Sequence, residues 1–271
     1  MNQAPQHTGD AAMMTEASAS VSPLVRAEGY RLLAAAFGYP DAQEFSTLFR
    51  EAASVALATE QAQLASLAGR LLAAVDSDLA GEYNRLFSQS VAVTPYETSY
   101  VAADKGVQLG RLAALMEAFG VRSRGEEHES PDHIGSELEF MAFLCVKEAS
   151  HQTETRPEGQ EAYAAVRQAQ ALFVQEHVGV WAPVFADRLR SATRHPFYAL
   201  LADVLPAWLE QERASQGFRY EPLASRVHLP LLQPDGSTQS TIATGELEDE
   251  AMICPMAAPT DDSDGTPIHI G

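Results

Sequence analysis

The sequence predicts an all-α fold, and three observations predict it. Apolar residues recur at three- and four-residue spacing between residues 22 and 214, β-branched residues are few and alternating runs short, and Gly, Pro or Ser punctuate the segments. A single helical-bundle domain over residues 21–216 is expected. Residues 1–20, rich in Ala, Ser, Gln and Thr without periodicity, read as a disordered leader. Residues 217–271, with Pro, Gly, Thr and acids and no Lys or Arg after Arg226, read as a flexible acidic tail.

Taken in order, Ser22-Pro23 pairs a capping residue with a first-turn proline, and Leu24, Ala27, Leu32, Ala35 and Ala36 follow at helical spacing until Gly38-Tyr39-Pro40 ends the run. Asp41 with Glu44 has the form of a capping box for a second helix. Helical spacing then marks 60–75, 78–88, 105–119, 131–150, 158–178, 181–192 and 197–214. Periodicity breaks at 88–98, around Thr94-Pro95, and at 121–130, so ordered loops are expected there.

Lys plus Arg number 18 against 37 Asp plus Glu, giving a formal net charge of −19, which repels phosphate backbones and anionic bilayers. Nucleic acid is excluded as a partner, while a cationic peptide is attracted. The first 25 residues hold neither a basic nor an apolar signal region, and the apolar stretch 64–75 is short and interrupted by Arg70, so neither secretion by a signal peptide nor membrane insertion is expected. The two cysteines, Cys145 in a helical pattern and Cys254 in the tail, suit a reducing compartment, the cytoplasm. In the tail, Ile253-Cys254-Pro255-Met256 is a lone apolar island.

The densest polar constellation runs from Glu126 to His133. One reading is helical metal-dependent catalysis by His128, Glu129, Asp132, His133 and Glu137, since His133 and Glu137 fall one turn apart; it lacks an HExxH or paired Glu-x-x-His motif. A structural reading has Ser130 or Asp132 cap the helix with Pro131 in its first turn. A recognition reading has Asp132 and His133 present polar groups beside an aromatic groove. The second constellation is Glu82-Tyr83-Asn84-Arg85-Leu86-Phe87, followed by Thr94-Pro95-Tyr96-Glu97-Thr98-Ser99-Tyr100, where aromatics in a loop suggest a lined groove. Gly106-Val107-Gln108-Leu109-Gly110 lacks the lysine and preceding strand of a phosphate loop.

Together Tyr83-Asn84-Arg85-Leu86-Phe87, Pro95-Tyr96-Glu97-Thr98-Ser99-Tyr100, and Glu129-Ser130-Pro131-Asp132-His133-Ile134 leading into Glu137-Leu138-Glu139-Phe140-Met141 resemble the TorD/DmsD/NarJ family of redox-enzyme maturation chaperones. The family's hallmark is an E-x-P-D-H segment after a Y-x-x-L-F helix, and the likeness spans roughly residues 22–214. Trp181-Ala182-Pro183-Val184-Phe185 and His195-Pro196-Phe197-Tyr198 resemble its later helix starts.

The resemblance implies a cytoplasmic, system-specific chaperone, not an enzyme and without a cofactor of its own, acting as monomer or homodimer. Its partner would be the apo catalytic subunit of a molybdenum oxidoreductase, bound through a twin-arginine signal peptide and held until the molybdopterin cofactor is inserted, before export. It also implies a peptide groove formed by Tyr83, Leu86, Phe87, Pro95, Tyr96, Glu97, Asp132 and His133, with Tyr83 and Tyr96 where relatives can carry tryptophan. Carboxylates would meet the guanidinium groups and aromatics the apolar run, with Glu97 and Asp132 the best-placed acids. A permanent scaffold or adaptor is a third reading.

Overall fold

The computed structural model describes residues 21–121 and 129–223. The leader, His128, and the tail from 224 onward, with Cys254 and the 253–256 island, lie outside the described residues. Among the described residues the regular elements are helical: α1 (Pro23–Ala36), α2 (Ala42–Ala58), α3 (Ala62–Ala73), α4 (Leu79–Tyr83), α5 (Lys105–Ala118), α6 (Ile134–His151), α7 (Pro157–Glu176), α8 (Val178–Ala192) and α9 (Pro196–Gln216). None is long and apolar enough to cross a membrane.

Local chemistry sets the helix ends. Asp41 accepts from the amides of Gln43 and Glu44, both at 2.9 Å, and Asp104 accepts from Val107 at 3.0 Å, so each acid satisfies amides that the first turn leaves open. Prolines open α1, α7 and α9, where a missing N–H costs nothing. Gly217 closes α9 in the left-handed region at φ 73°.

Three boundaries differ from the sequence expectation. The helix expected from Pro131 begins at Ile134, because residues 130–133 form a turn with the His133 amide bonded to the Ser130 carbonyl at 2.9 Å. The helix expected at 181 begins at Val178, which puts Pro183 inside α8. The stretch expected as one helix over 78–88 is α4 followed by a π-helical turn, Asn84–Ser88, closed by the Gln89 amide on the Asn84 carbonyl at 2.7 Å.

α6 is central, packed on α1 on one side and α7 on the other, while α2 pairs with α3 and α8 with both α7 and α9. Aromatics fill the core in edge-to-face contacts, among them Phe140 on Phe173 and Phe45 on Phe49. Cys145 is buried within it, which pushes its thiol up to about 12 and leaves it inert.

One polar cluster is sealed inside the bundle. Arg26 of α1 donates to Glu212 of α9 at 2.9 and 3.0 Å, to Glu148 of α6 at 2.7 Å and to Gln170 of α7 at 2.7 Å. One guanidinium thereby joins four helices and answers two carboxylates. The chain continues past Gln216 against this cluster: Phe218 is buried, with the guanidinium groups of Arg26 and Arg167 over its ring at 5.8 and 5.9 Å.

Candidate functional site

The loop before Tyr100 meets the start of α6 through two backbone hydrogen bonds. The Glu97 amide donates to the Asp132 carbonyl at 2.8 Å and the Ile134 amide to the Pro95 carbonyl at 2.9 Å, an isolated antiparallel bridge pairing Tyr96 with His133. Thr94-Pro95 favours this extended backbone, since the residue before a proline is pushed out of the helical region. The Tyr100 hydroxyl bonds back to the Thr94 carbonyl at 2.8 Å and closes the loop. Two stretches more than thirty residues apart thus form one surface.

Beneath this bridge each polar side chain has an assigned task. His133 is the N-cap of α6: its Nδ1 accepts from the Gly135 amide at 3.1 Å, and a Cβ on residue 135 would crowd that nitrogen at 3.1 Å. Burial lowers the imidazole's basicity, so it is neutral with its hydrogen on Nε2. The cap expected of Ser130 or Asp132 falls to the histidine itself. Asp132 is 1% exposed and braces the two stretches, accepting from the Thr98 hydroxyl at 2.6 Å, the Thr98 amide at 3.3 Å and the Ser130 hydroxyl at 2.5 Å.

Glu97 is fully buried, with Gln108 of α5 donating at 3.0 Å and Nδ1 of His177 at 3.1 Å from both carboxyl oxygens. Glu137, also fully buried, receives the Trp181 indole N–H at 3.0 and 3.2 Å. Burial first, then the Glu97 charge, pushes its carboxyl well above the usual glutamate range.

The outward face carries Tyr39 and Tyr96, with Tyr83, Phe87 and Tyr198 buried behind them. Tyr39 is 61% exposed and packs edge-on to Tyr83 at 5.3 Å; Tyr83 packs on Phe87 at 5.2 Å, and Phe87 on Tyr198 at 5.5 Å. Tyr96, half-buried, stands edge-on to the His133 ring at 5.3 Å and donates its hydroxyl to the exposed Glu129 at 3.2 Å. Burial and then the Glu129 charge hold the Tyr96 phenol up at about 12, and the same two causes raise Tyr83, so both phenols stay protonated. Below this face, Arg85 donates to the Ala192 carbonyl at 2.7 Å and pairs with Glu82, which also takes Thr193 at 3.0 Å and the Arg194 amide at 2.7 Å. The π-turn is fastened to the end of α8.

Of the residues singled out from the sequence, Pro95, Tyr96, Glu97, Asp132 and His133 come together at the bridge, and Tyr83 and Phe87 lie beside them. Leu86 is fully buried in the core. The carboxylates of Glu97 and Asp132 are turned inward and hydrogen-bonded. Sequence reasoning missed Tyr39, masked by its place in a helix-ending Gly-Tyr-Pro, and the supporting Gln108, His177 and Trp181, which only the fold brings near. The metal-dependent reading finds no support in the geometry: the Nδ1 of His133 is taken by its own helix, Glu137 points into the core, and among the described residues no group of three His, Cys, Asp or Glu is placed to hold an ion.

The family model described as nitrate reductase delta subunit matches residues 50–187. The chain is 29% identical to the chaperone protein TorD of Photobacterium profundum over 182 residues, 65% of this chain and 74% of that protein. It is 28% identical to the chlorate reductase assembly chaperone protein of Ideonella dechloratans over 202 residues, and 28% identical to the selenate reductase assembly chaperone protein of Thauera selenatis over 205 residues. Each of these two alignments covers 72% of this chain and 92% of the relative.

Proposed function

The chain belongs to the nitrate reductase delta subunit family, the group of redox-enzyme maturation chaperones to which TorD is assigned, and from that premise we propose that it chaperones one molybdopterin oxidoreductase in the cytoplasm. In this reading it binds the apo catalytic subunit through its twin-arginine signal peptide, holds it while the cofactor is inserted, and releases it for export. The relatives named as chlorate and selenate reductase assembly chaperones support a client of that class.

The observation that carries the reading is the exposed ring of Tyr39 and the half-buried ring of Tyr96, with Tyr83 buried behind Tyr39 and Glu129 at the edge. A signal peptide joins arginines to an apolar run. Glu129 offers a charge-assisted partner for a guanidinium, the tyrosine rings offer faces for cation–π contact, and the same rings bury apolar side chains. Glu97, Asp132 and His133 serve as the frame. The net charge of −19 steers a cationic segment toward the protein.

The test is co-purification of the tagged protein from its own cells under molybdenum limitation, beside a Tyr39→Ala, Tyr96→Ala, Glu129→Gln variant. The wild type should retain one molybdoenzyme catalytic subunit in its apo form and the variant should lose it. Retention of the same subunit by both would remove this face from the mechanism, and capture of the cofactor-loaded enzyme alone would favour a permanent adaptor.

A further inference from the structure

Two connected cavities open between α3 and α9, helices that each pack on α1 but barely meet one another. The wider, about 350 Å³, has an apolar lining of Leu67, Val204 and Ala207, with Ser66 and Arg70 along its α3 wall. The narrower, about 80 Å³, is lined by Val21, Val25 and Leu64. Gln63, Trp208 and Gln211 border both, and the two glutamine side chains are hydrogen-bonded to each other across the gap. One groove therefore runs from Val21 to Arg70.

Two groups in it lack a partner. Trp208 is 6% exposed, and its ring lies against Gly29 of α1, where a Cβ would overlap it. Its indole N–H has no acceptor among the described residues, and a buried donor left unpaired is costly. Arg70 is exposed and forms no ion pair among the described residues; Asp203 of α9, which lines the same cavity, pairs with Arg190 at 3.4 Å instead.

The chain that leads into Val21 carries the matching chemistry in the matching order. Ser20, Ala19, Ser18 and Ala17 are small enough for the narrow cavity and the glutamine pair. Glu16 stands five residues from Val21, a reach of about 16 Å when extended, and the α3 wall from Gln63 to Arg70 is about 10 Å long. Met14 and Met13 follow, unbranched side chains suited to an irregular apolar lining. Residues 1–20 hold no Lys or Arg to oppose Arg70.

We infer that the α3–α9 groove is the docking site of the chain's own residues 13–20, with Glu16 paired to Arg70, Met13 and Met14 over Leu67 and Val204, and a main-chain carbonyl accepting the Trp208 N–H. Attachment at Val21 makes the contact intramolecular. A short tether holds the segment at an effective concentration on the order of 1 mM, so docking needs only a weak intrinsic affinity. This site is separate from the peptide face and does not rest on that reading.

The test uses the full chain in solution and its two tryptophans, whose indole N–H groups each give one signal in a proton–nitrogen correlation spectrum. A Met13→Ser, Met14→Ser, Glu16→Lys variant changes the leader and leaves every residue of the helical body in place. Its Trp208 signal should move, and indole hydrogen exchange there should quicken by about tenfold, the factor for releasing a segment docked about nine-tenths of the time. The Trp181 signal, held by Glu137, should stay where it is. An unchanged Trp208 signal overturns the proposal. Adding Arg70→Glu to Glu16→Lys should restore the wild-type signal that Glu16→Lys alone displaces, and failure to restore it refutes the placement of Glu16. The wild-type signal should also be unaffected by about tenfold dilution. A signal that moves on dilution would assign the groove to the leader of a second copy and overturn docking within one chain.

Discussion

Replacing Asp132 separates two roles that a buried acid in a binding site can have. Its carboxylate accepts three hydrogen bonds, from the Thr98 hydroxyl and amide and from Ser130. Asp132→Ala strands all three donors. A hydrogen bond to a charged acceptor is worth about 1.5–3 kcal/mol when buried, and the half-buried Thr98 and Ser130 recover part of that from water, so the loss should be about 2–4 kcal/mol in total. In urea this is a midpoint shift of about 1 M. Asp132→Asn is the informative partner. Its amide oxygen can accept from Thr98 while its NH2 donates to the Ser130 oxygen, so the brace survives without the charge, at a cost of about 1 kcal/mol or less. If Asp132 frames the site, Asp132→Asn should bind a twin-arginine peptide within about twofold of wild type, and Asp132→Ala should lose stability and affinity together. Urea denaturation and peptide calorimetry on the three proteins measure both. A well-folded Asp132→Asn that loses tenfold or more in affinity would show that the charge itself meets the peptide, and would refute the framing role.

The sealed Arg26 cluster and the Glu82 staple give two more tests. Arg26→Met leaves Glu212 buried without a guanidinium and Glu148 with Arg167 alone at 3.3 Å, and should cost about 3–5 kcal/mol in chemical denaturation, while peptide affinity measured on the folded fraction stays unchanged. Glu82, held down at about 2 chiefly by its hydrogen bond to Arg85, contributes stability that is present above the ordinary glutamate range and is lost as pH falls from about 4.5 to about 2; Glu82→Gln should flatten the melting temperature over that window, and an unchanged acid limb would show that the staple contributes nothing.

The helices were legible because their signals are local. Apolar spacing, the Asp41 cap and the prolines that open α1 and α9 each act within one turn of chain. Pro183 misled because Trp181-Ala182-Pro183 has the form of a helix start, yet Val178 and Gly179 already belong to α8. At the site the motifs named the right neighbours, Pro95 to Glu97 with Asp132 and His133, but not which way their side chains turn. That direction is set by the backbone pairing of Glu97 with Asp132 and Ile134 with Pro95, a contact across more than thirty residues that no periodicity encodes. Arg26 left a faint trace: it lies four residues before Tyr30 and seven before Leu33, both fully buried, so a cation sits on the inward stripe of α1. Its partners are scattered over α6, α7 and α9, and sequence spacing gave no means of pairing them.

The two interior clusters of acids solve one physical problem in different ways. At Arg26, carboxylates on α6 and α9 are neutralised by a guanidinium that keeps its charge at every pH a protein experiences. At Glu97 and Glu137 the partners are neighbouring side chains instead, the Gln108 amide and the His177 ring nitrogen beside the first and the Trp181 indole on the second. α6 carries a member of each, Glu148 near its last turn and Glu137 in its first, eleven residues or about 16 Å apart. A guanidinium suits the end where four helices must stay together whether or not a partner is bound. A lysine introduced at Gln108 would set a cation beside the buried Glu97 carboxylate and should stiffen the loop and slow peptide dissociation, and faster or unchanged release from that variant would show that the hold on Glu97 plays no part in letting go.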